Sequence, residues 1–306
     1  MNLRAKAIQI THSNSLGMFA IKSVRQTLDF IDHISHPGVP ADRQITRVKS
    51  NGKTFSILHR RTYADRHVIQ QCFAQDQYHV TNHAHSVYID HVYQRILASG
   101  RKPLIVDCGA NIGASLLWHA AWYPEAHFVA IEPAADNFSL LRGNCSGIDV
   151  DLRQAGVAAS DGIASLIDPG EGGWAYQTVS SGDGPQVSML ALAPLVSSKI
   201  EAGYTPFLLK IDIEGAESTL FDGDCSLINS FPLIIMEPHD WLLPGQHTSA
   251  GFFRFHAAYG REFCMKGENI GSISVDDSIL GIPVWANKKP AAVKAASAGQ
   301  QASAVH

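Results

Sequence analysis

The sequence holds few cysteines, no long apolar run and no excess of either charge, and each shortage removes a class of protein. The five cysteines, Cys72, Cys108, Cys145, Cys225 and Cys264, stand far apart with no CxxC pair. That spacing argues against both a disulfide framework and a structural zinc site, and leaves buried, reduced thiols as the expectation. No stretch approaches the length needed to span a bilayer. Met1 to Ile10 carries Arg4 and Lys6 without the apolar segment of a signal peptide, so a cytoplasmic location is expected. The formal net charge of -4, with acids and bases mixed along the chain, offers no basic footprint for nucleic acid or anionic lipid. Small neutral partners suit this balance better than polyanions.

What remains is an ordinary enzyme-like composition, 45% hydrophobic and 17% charged over 306 residues, enough for one large domain with an appendage. Three textures follow one another. Residues 1–98 mix short apolar clusters with His, Gln and Arg and read as an N-terminal cap or substrate region. Within them, Asn51-Gly52 separates Ile45–Val48 from Thr54–Leu58, a hairpin signal. Val87, Tyr88, His91, Val92, Arg95, Ile96 and Leu97 follow helical spacing, and Gly100 stops that helix. Residues 288–306 lack large apolar side chains and read as a disordered tail.

Residues 99–287 alternate between strand and helix. Leu104-Ile105-Val106, His127–Ile131, a third strand from Val150, Phe207–Ile211 and Leu233–Met236 are short apolar runs separated by helical patterns. Such alternation predicts an α/β fold with a Rossmann-like, doubly wound, mostly parallel sheet. Gly- and Ser-rich residues 160–186 read as surface hairpins and loops between the third and fourth parallel strands.

The first strand runs into Asp107-Cys108-Gly109-Ala110-Asn111-Ile112-Gly113, which then opens a helix. Glycines at 109 and 113 allow a sharp turn and close approach of a ligand. The helix N-terminus offers N–H groups to a carboxylate, and Asp107 is expected near a cationic amine. Glu132 ends the second strand 23 positions after Gly109, where an acid accepts ribose hydroxyls. A nucleoside joined to an amino acid fits this set. NAD fits less well, because Asn111 replaces a glycine of the dinucleotide motif and an acid leads the loop.

These segments, with Glu132-Pro133, Asn137-Phe138 and Leu141, then Leu209-Lys210-Ile211-Asp212-Ile213-Glu214-Gly215-Ala216-Glu217 and Ile234-Ile235-Met236-Glu237, resemble the FkbM family of methyltransferases, over roughly residues 100–240. The resemblance implies a class I methyltransferase type of fold and S-adenosylmethionine as cofactor. It also implies O-methylation of a hydroxyl on a sugar, glycan or natural product. Asp107, Gly109, Ala110, Asn111, Gly113, Glu132 and Asn137 are then the cofactor-binding residues. N-methylation and a non-catalytic cofactor-binding partner protein stand as the alternatives.

Methyl transfer to an alcohol needs the acceptor aligned and its proton removed. Asp212 and Glu214, two apart at a strand tip, are candidates to orient the acceptor or take that proton. Alternatively they join Glu237 in holding Mg²⁺. His239, beside the tip of the next strand, is the preferred general base, although it is one of 15 histidines. Glu217 reads chiefly as an acid at a helix N-terminus. His79, His83 and His85 form an H-x₃-H-x-H group with no completing acid or cysteine, so no metal site is assigned there. Tyr78, Tyr88, Trp174, Tyr176 and Trp241 are candidates for stacking on a sugar. The acceptor and the oligomeric state do not follow from the sequence.

Overall fold

The computed structural model describes residues 32–34, 38–80, 82–168, 176–179 and 182–275. The expectations for Met1–Ile10, Trp174 and residues 288–306 lie outside them. Strands β1 (Asp32–Ile34), β2 (Arg43–Ser50) and β3 (Lys53–Arg60) form a small antiparallel sheet in that order. Asn51 and Gly52 both take positive φ, 44° and 76°, which gives the two-residue turn the twist that flanking strands need. Helix α1 (Tyr63–Phe73) begins where the Thr62 hydroxyl accepts the Asp65 N–H. Helix α2 (His83–Ala98) begins where the Asn82 side chain accepts from Ala84 and His85. It ends before Gly100, whose φ of 76° stops the helix as expected.

The α/β core follows. β4 (Lys102–Cys108), α3 (Ala114–Trp122), β5 (His127–Ile131), α4 (Ala135–Asn144) and β6 (Val150–Arg153) make the first half. β7 (Gly156–Ala158), β8 (Gly162–Ile167), β9 (Gln177–Val179) and β10 (Gln186–Ala191) form a separate four-stranded sheet, β7-β10-β8-β9, where hairpins and loops were expected. The second half contains α5 (Leu192–Glu201), β11 (Tyr204–Ile211), α6 (Glu217–Leu220), α7 (Ser226–Asn229) and β12 (Leu233–Met236). Helix α8 (Ala250–Ala258), β13 (Glu262–Lys266) and β14 (Asn269–Ile273) complete it.

Seven strands form the main sheet in the order β13-β14-β12-β11-β4-β5-β6. Its middle strands pair in parallel, and β14 runs antiparallel to both β12 and β13. This is the doubly wound, mostly parallel sheet expected of residues 99–287. Alternate side chains of each strand enter two cores. Ile105, Phe128, Phe207 and Leu233 share one with Val48 and Ile57 of the hairpin and with Ile69 and Cys72 of α1. Leu104, Val106, Val129, Leu209 and Ile211 share the other with Phe231 and Phe252. Burial on both faces explains why these strands read as unbroken apolar runs.

Polar contacts tie the hairpin to this core. Asn51 and Lys53 donate to the Ala121 and Ala120 carbonyls, both at 3.1 Å, near the C-terminal end of α3. The Asn144 side chain exchanges two hydrogen bonds with the main chain of Leu58 on β3. Strand order reverses between β4 and β11, and a crevice for ligands opens at the C-terminal ends of such neighbours. Cys72, Cys108, Cys145 and Cys225 are buried free thiols, and Cys264 is partly exposed. No helix among the described residues is long and apolar enough to cross a membrane.

Candidate active site

Two cavities meet above the tips of β4 and β11. One is lined by Gly109, Asn111, Ile131, Glu132, Pro133 and Asn137, then by Ala155 to Val157, Tyr176 and Thr178. The other is lined by His67, Val68, Gln71, Gln77 and Tyr78 from the N-terminal region, and by Ser115, Lys210, Glu237, His239, Trp241, Leu242 and Glu268. Gly109, Asn111, Asp212 and Glu214 line both and form their common wall. Five residues between 67 and 78 thus bring the N-terminal region to the lining of the second cavity.

The loop after β4 is shaped by close backbone contacts. A Cβ on Gly109 would lie 1.8 Å from the Asp212 carbonyl oxygen, so only glycine lets β4 and β11 close at this point. Its φ of 82° adds a second reason. Asn111 is left-handed as well, with φ 48°. The Gly109 and Ala110 N–H groups both donate to Ile131 O, Asn111 N–H donates to Glu132, and Ile112 N–H donates to Asn111 Oδ1. These amides are engaged inside the protein. The helix N-terminus expected to offer N–H groups to a ligand carboxylate is that of α3, behind this loop.

Glu132 is buried and faces the first cavity. Its carboxylate accepts from Asn111 N–H at 2.9 Å, Ala134 N–H at 3.0 Å and Asn137 Nδ2 at 3.2 Å. Burial pushes it up to about 7 despite those donors. Asn137 is held in turn by Arg60 Nη2, which donates to its Oδ1 at 2.5 Å. Arg60 also pairs with Asp65 and Asp136, so the hairpin fixes a group on the cavity wall.

Asp107 does not reach either cavity. It is wholly buried, accepts from the Ser115 hydroxyl at 2.5 Å and lies 3.2 Å from Lys210 Nζ. The amine partner expected at Asp107 is thus already supplied by the protein. Lys210 also lies 3.2 Å from Asp212 and donates to the Gly109 carbonyl at 2.7 Å. Burial alone would lower the lysine, but Asp107 and Asp212 outweigh it and hold the ammonium well above its ordinary range. Gly113, with φ 90°, precedes α3 and packs against Leu141 and Cys145 behind the loop.

Beyond β11 the chain turns through Glu214 and Gly215 at φ 54° and 99°. A left-handed glutamate costs of order 1 kcal/mol and persists only where its surroundings enforce it. The turn aims Asp212 and Glu214 at one imidazole. His239 Nε2 lies 3.6 Å from Asp212 Oδ1, 3.5 Å from Glu214 Oε2 and 3.9 Å from Glu237 Oε1. Its Nδ1 is 2.7 Å from Glu217 Oε1, and Glu217 is completely buried. Burial works against a charged ring, but Glu217, Asp212 and Glu214 together raise His239 to about 10. The ring expected to act as general base is thus surrounded by four carboxyl groups. Glu214 and Glu237 are each pushed up to about 8, first by burial and then by the Asp212 charge.

Asp212, Glu214 and His239 form a group able to hold a metal ion, so His239 takes the position expected of Glu237. His79, before α2, and His85, in its first turn, have other neighbours: His79 lies against Trp122, and His85 is 2.6 Å from Glu262. Of the aromatic candidates, Tyr78 and Trp241 line the second cavity and Tyr176 the first, whereas Tyr88 is buried and donates to Ser274 O. Sequence reasoning missed Lys210 and Arg60, and it read Glu217 as the acid at a helix N-terminus, where it stands, without the imidazole it holds. A lysine inside an otherwise apolar strand was the available signal for the first.

Residues 107–257 match the model of the methyltransferase FkbM domain. Methyltransferase sdnD of Sordaria araneosa is 36% identical over 84 residues, 26% of this chain and 32% of that protein. The chain thus spans about a third of the curated relative it matches. Among solved structures, the methyltransferase FkbM of Methylobacillus flagellatus KT is 14% identical over 57% of this chain and 43% of that one, with a TM-score of 0.37. An O-methyltransferase of Bacillus cereus in complex with SAH is 15% identical over 68% of this chain and 90% of that one, with a TM-score of 0.33.

Proposed function

The chain carries a methyltransferase FkbM domain over residues 107–257, and on that premise we propose that it is an S-adenosylmethionine-dependent O-methyltransferase acting on a hydroxyl of a small acceptor such as a sugar, glycan or natural product. The observation that carries this reading is the common wall of Gly109, Asn111, Asp212 and Glu214 between the two cavities. A cofactor in one cavity and an acceptor in the other would bring donor and nucleophile together at that wall.

The residues fit the cofactor. Glu132 offers remaining lone pairs to a ribose diol beside a glycine loop whose backbone a ligand can approach. Asp212 and Glu214 place their carboxyl groups on the wall that a bound cofactor would meet. The cofactor supplies an electrophilic methyl group: a C–O bond forms, and the C–S bond breaks with its electrons going to sulfur. At the wall, Asp212 and Glu214 orient the acceptor, and the carboxylate cluster takes the hydroxyl proton. Tyr78, Trp241 and the N-terminal residues that line the second cavity hold the acceptor body.

Calorimetric titration with S-adenosylmethionine and S-adenosylhomocysteine, with NAD as control, tests the cofactor. Micromolar binding, weakened in Glu132→Ala, is expected, and preference for NAD would overturn the reading. One observation favours a second acceptor class. Asp212, Glu214, Glu237 and Glu268 make the second cavity acidic, which suits an amine and hence N-methylation. Analysis of the methylated atom in products from paired alcohol and amine acceptors separates the two.

A further inference from the structure

The two carboxylates of the common wall and the histidine beside them stand at ion-pair rather than hydrogen-bond spacing. Nε2 of His239 is 3.5 Å from Glu214 and 3.6 Å from Asp212, beyond the usual hydrogen-bond length. Two ligands on one tetrahedral ion with bonds near 2.1 Å stand about 3.4 Å apart. We propose that Asp212, Glu214 and His239 form the binding site of one divalent transition-metal ion, with Glu217 as the positioning residue behind the histidine. The proposal rests on the reading above, because the same residues wall the acceptor cavity.

The backbone converges on this arrangement from two neighbouring strands. β11 and β12 run parallel with Ile211 opposite Met236, so the segments after them emerge side by side. The left-handed turn at Glu214 and Gly215 brings Glu214 back beside Asp212, and the loop after β12 supplies His239. One ligand atom from each of the three residues lies within 4.8 Å of the others. Random exposed acids do not gather a buried imidazole among them. His239 is 1% exposed, and its Nε2 faces the carboxylates from inside the protein.

Glu217 supplies an independent indication. Its carboxylate is fully buried, accepts the Ile213 N–H and holds His239 Nδ1 at 2.7 Å. Metal-bound histidines usually donate their other ring N–H to such a carboxylate, which fixes the tautomer and leaves the opposite lone pair for the ion. With Nδ1–H given to Glu217, Nε2 is the nitrogen left to bind. Charge points the same way. Among the described residues, Asp212, Glu214, Glu217 and Glu237 surround the one imidazole of His239. A dication in place of the Nε2 proton reduces that imbalance.

One nitrogen and two carboxylates suit Mn²⁺ or Zn²⁺ better than Mg²⁺, which prefers all-oxygen coordination. Asp212 and Glu214 line the second cavity, so the ion would keep an open side toward an acceptor hydroxyl. There it would lower the hydroxyl's proton affinity. Glu237, 3.9 Å from Nε2 and outside the ligand set, is the carboxylate left to receive the proton.

The test uses the full chain, stripped with chelator and titrated with MnCl₂ and ZnCl₂, with S-adenosylhomocysteine affinity measured on the same samples. One ion per chain is expected at micromolar affinity, with imidazole-nitrogen coupling in the pulsed EPR spectrum of bound Mn²⁺. His239→Gln should abolish that coupling, and Glu214→Gln should weaken binding at least about 10-fold. Glu217→Gln should weaken binding about 10- to 100-fold while keeping the nitrogen coupling. Absence of nitrogen coupling in the wild-type protein overturns the site even if His239→Gln fails to fold. So does metal affinity equal in wild type and Glu214→Gln. S-adenosylhomocysteine binding without metal binding overturns this site and leaves the cofactor reading standing. Metal binding without it does the reverse.

Discussion

Lys210 of β11 stands opposite Asp107 of β4 in the parallel register, and its ammonium lies 3.2 Å from that carboxylate with both side chains sealed from water. The pair is the hinge between the glycine loop and the acidic wall, because the same ammonium binds the Gly109 carbonyl and Asp212. Removing one member leaves the other charge buried and unpaired. Lys210→Met should therefore cost about 3–5 kcal/mol of stability. The double variant Lys210→Met/Asp107→Leu should cost clearly less than the two single changes added together. Denaturant unfolding of the three variants measures this, and simple additivity would refute the coupling.

Glu132 gives the site a pH dependence that can be worked out in sign. Its folded-state value is raised from 4.5 to about 7 by burial, so it is protonated below that pH and ionised above it. Ribose hydroxyls donate best to the ionised form. S-adenosylhomocysteine affinity should therefore rise as pH increases through about 7, and Glu132→Gln should flatten this rise. Stability of the free protein runs the opposite way. The contribution from this group is full below 4.5 and is lost as pH rises through about 7. Calorimetry from pH 5.5 to 8.5 measures the binding, and a flat wild-type profile would rule the role out.

The sequence disclosed the parts of this site that depend on local chemistry. Gly109 marked the turn because no other residue fits there, and Glu132 was found by its distance from that turn. Asp212 and Glu214 were found by their place after an apolar strand. What stayed hidden depends on register and convergence. Nothing local to Asp107 reveals that Lys210 lies opposite it, and nothing local to Glu217 reveals the imidazole it holds. His239 read as a base from its place beside a strand tip, whereas its four carboxylate neighbours come from separate turns that nothing local joins. The edge strand β13 was missed for a different reason: Phe263 and Met265 are each 61% exposed, so its apolar residues mark no core face.

Gly109 can be tested directly. A methyl group there would meet the Asp212 carbonyl at 1.8 Å, in a backbone conformation that disfavours any side chain. Gly109→Ala should force β4 and β11 apart at their tips, at a cost of more than about 2 kcal/mol. S-adenosylhomocysteine binding should be lost even below the unfolding temperature, since the displaced strands carry both cavity walls. Gly162→Ala, where a Cβ meets nothing within 4 Å, provides the control. Equal thermal stability of the two variants would contradict the packing argument.

Trp241 offers the clearest separation of acceptor from cofactor. It lines the second cavity and not the first, and its side chain is 68% exposed. An indole left so open contributes little to the fold, so its ring is available to stack on an acceptor. Trp241→Ala should leave the melting temperature and S-adenosylhomocysteine affinity near wild type while raising the acceptor KM about 3- to 10-fold, the range expected for one lost aromatic contact. Trp241→Phe should recover most of the loss, because a smaller ring still presents an apolar face. A change in cofactor affinity instead would mean that the two cavities are not divided as the common wall implies. An unchanged KM would remove Trp241 from the acceptor site and leave Tyr78, which lines the same cavity, as its aromatic surface.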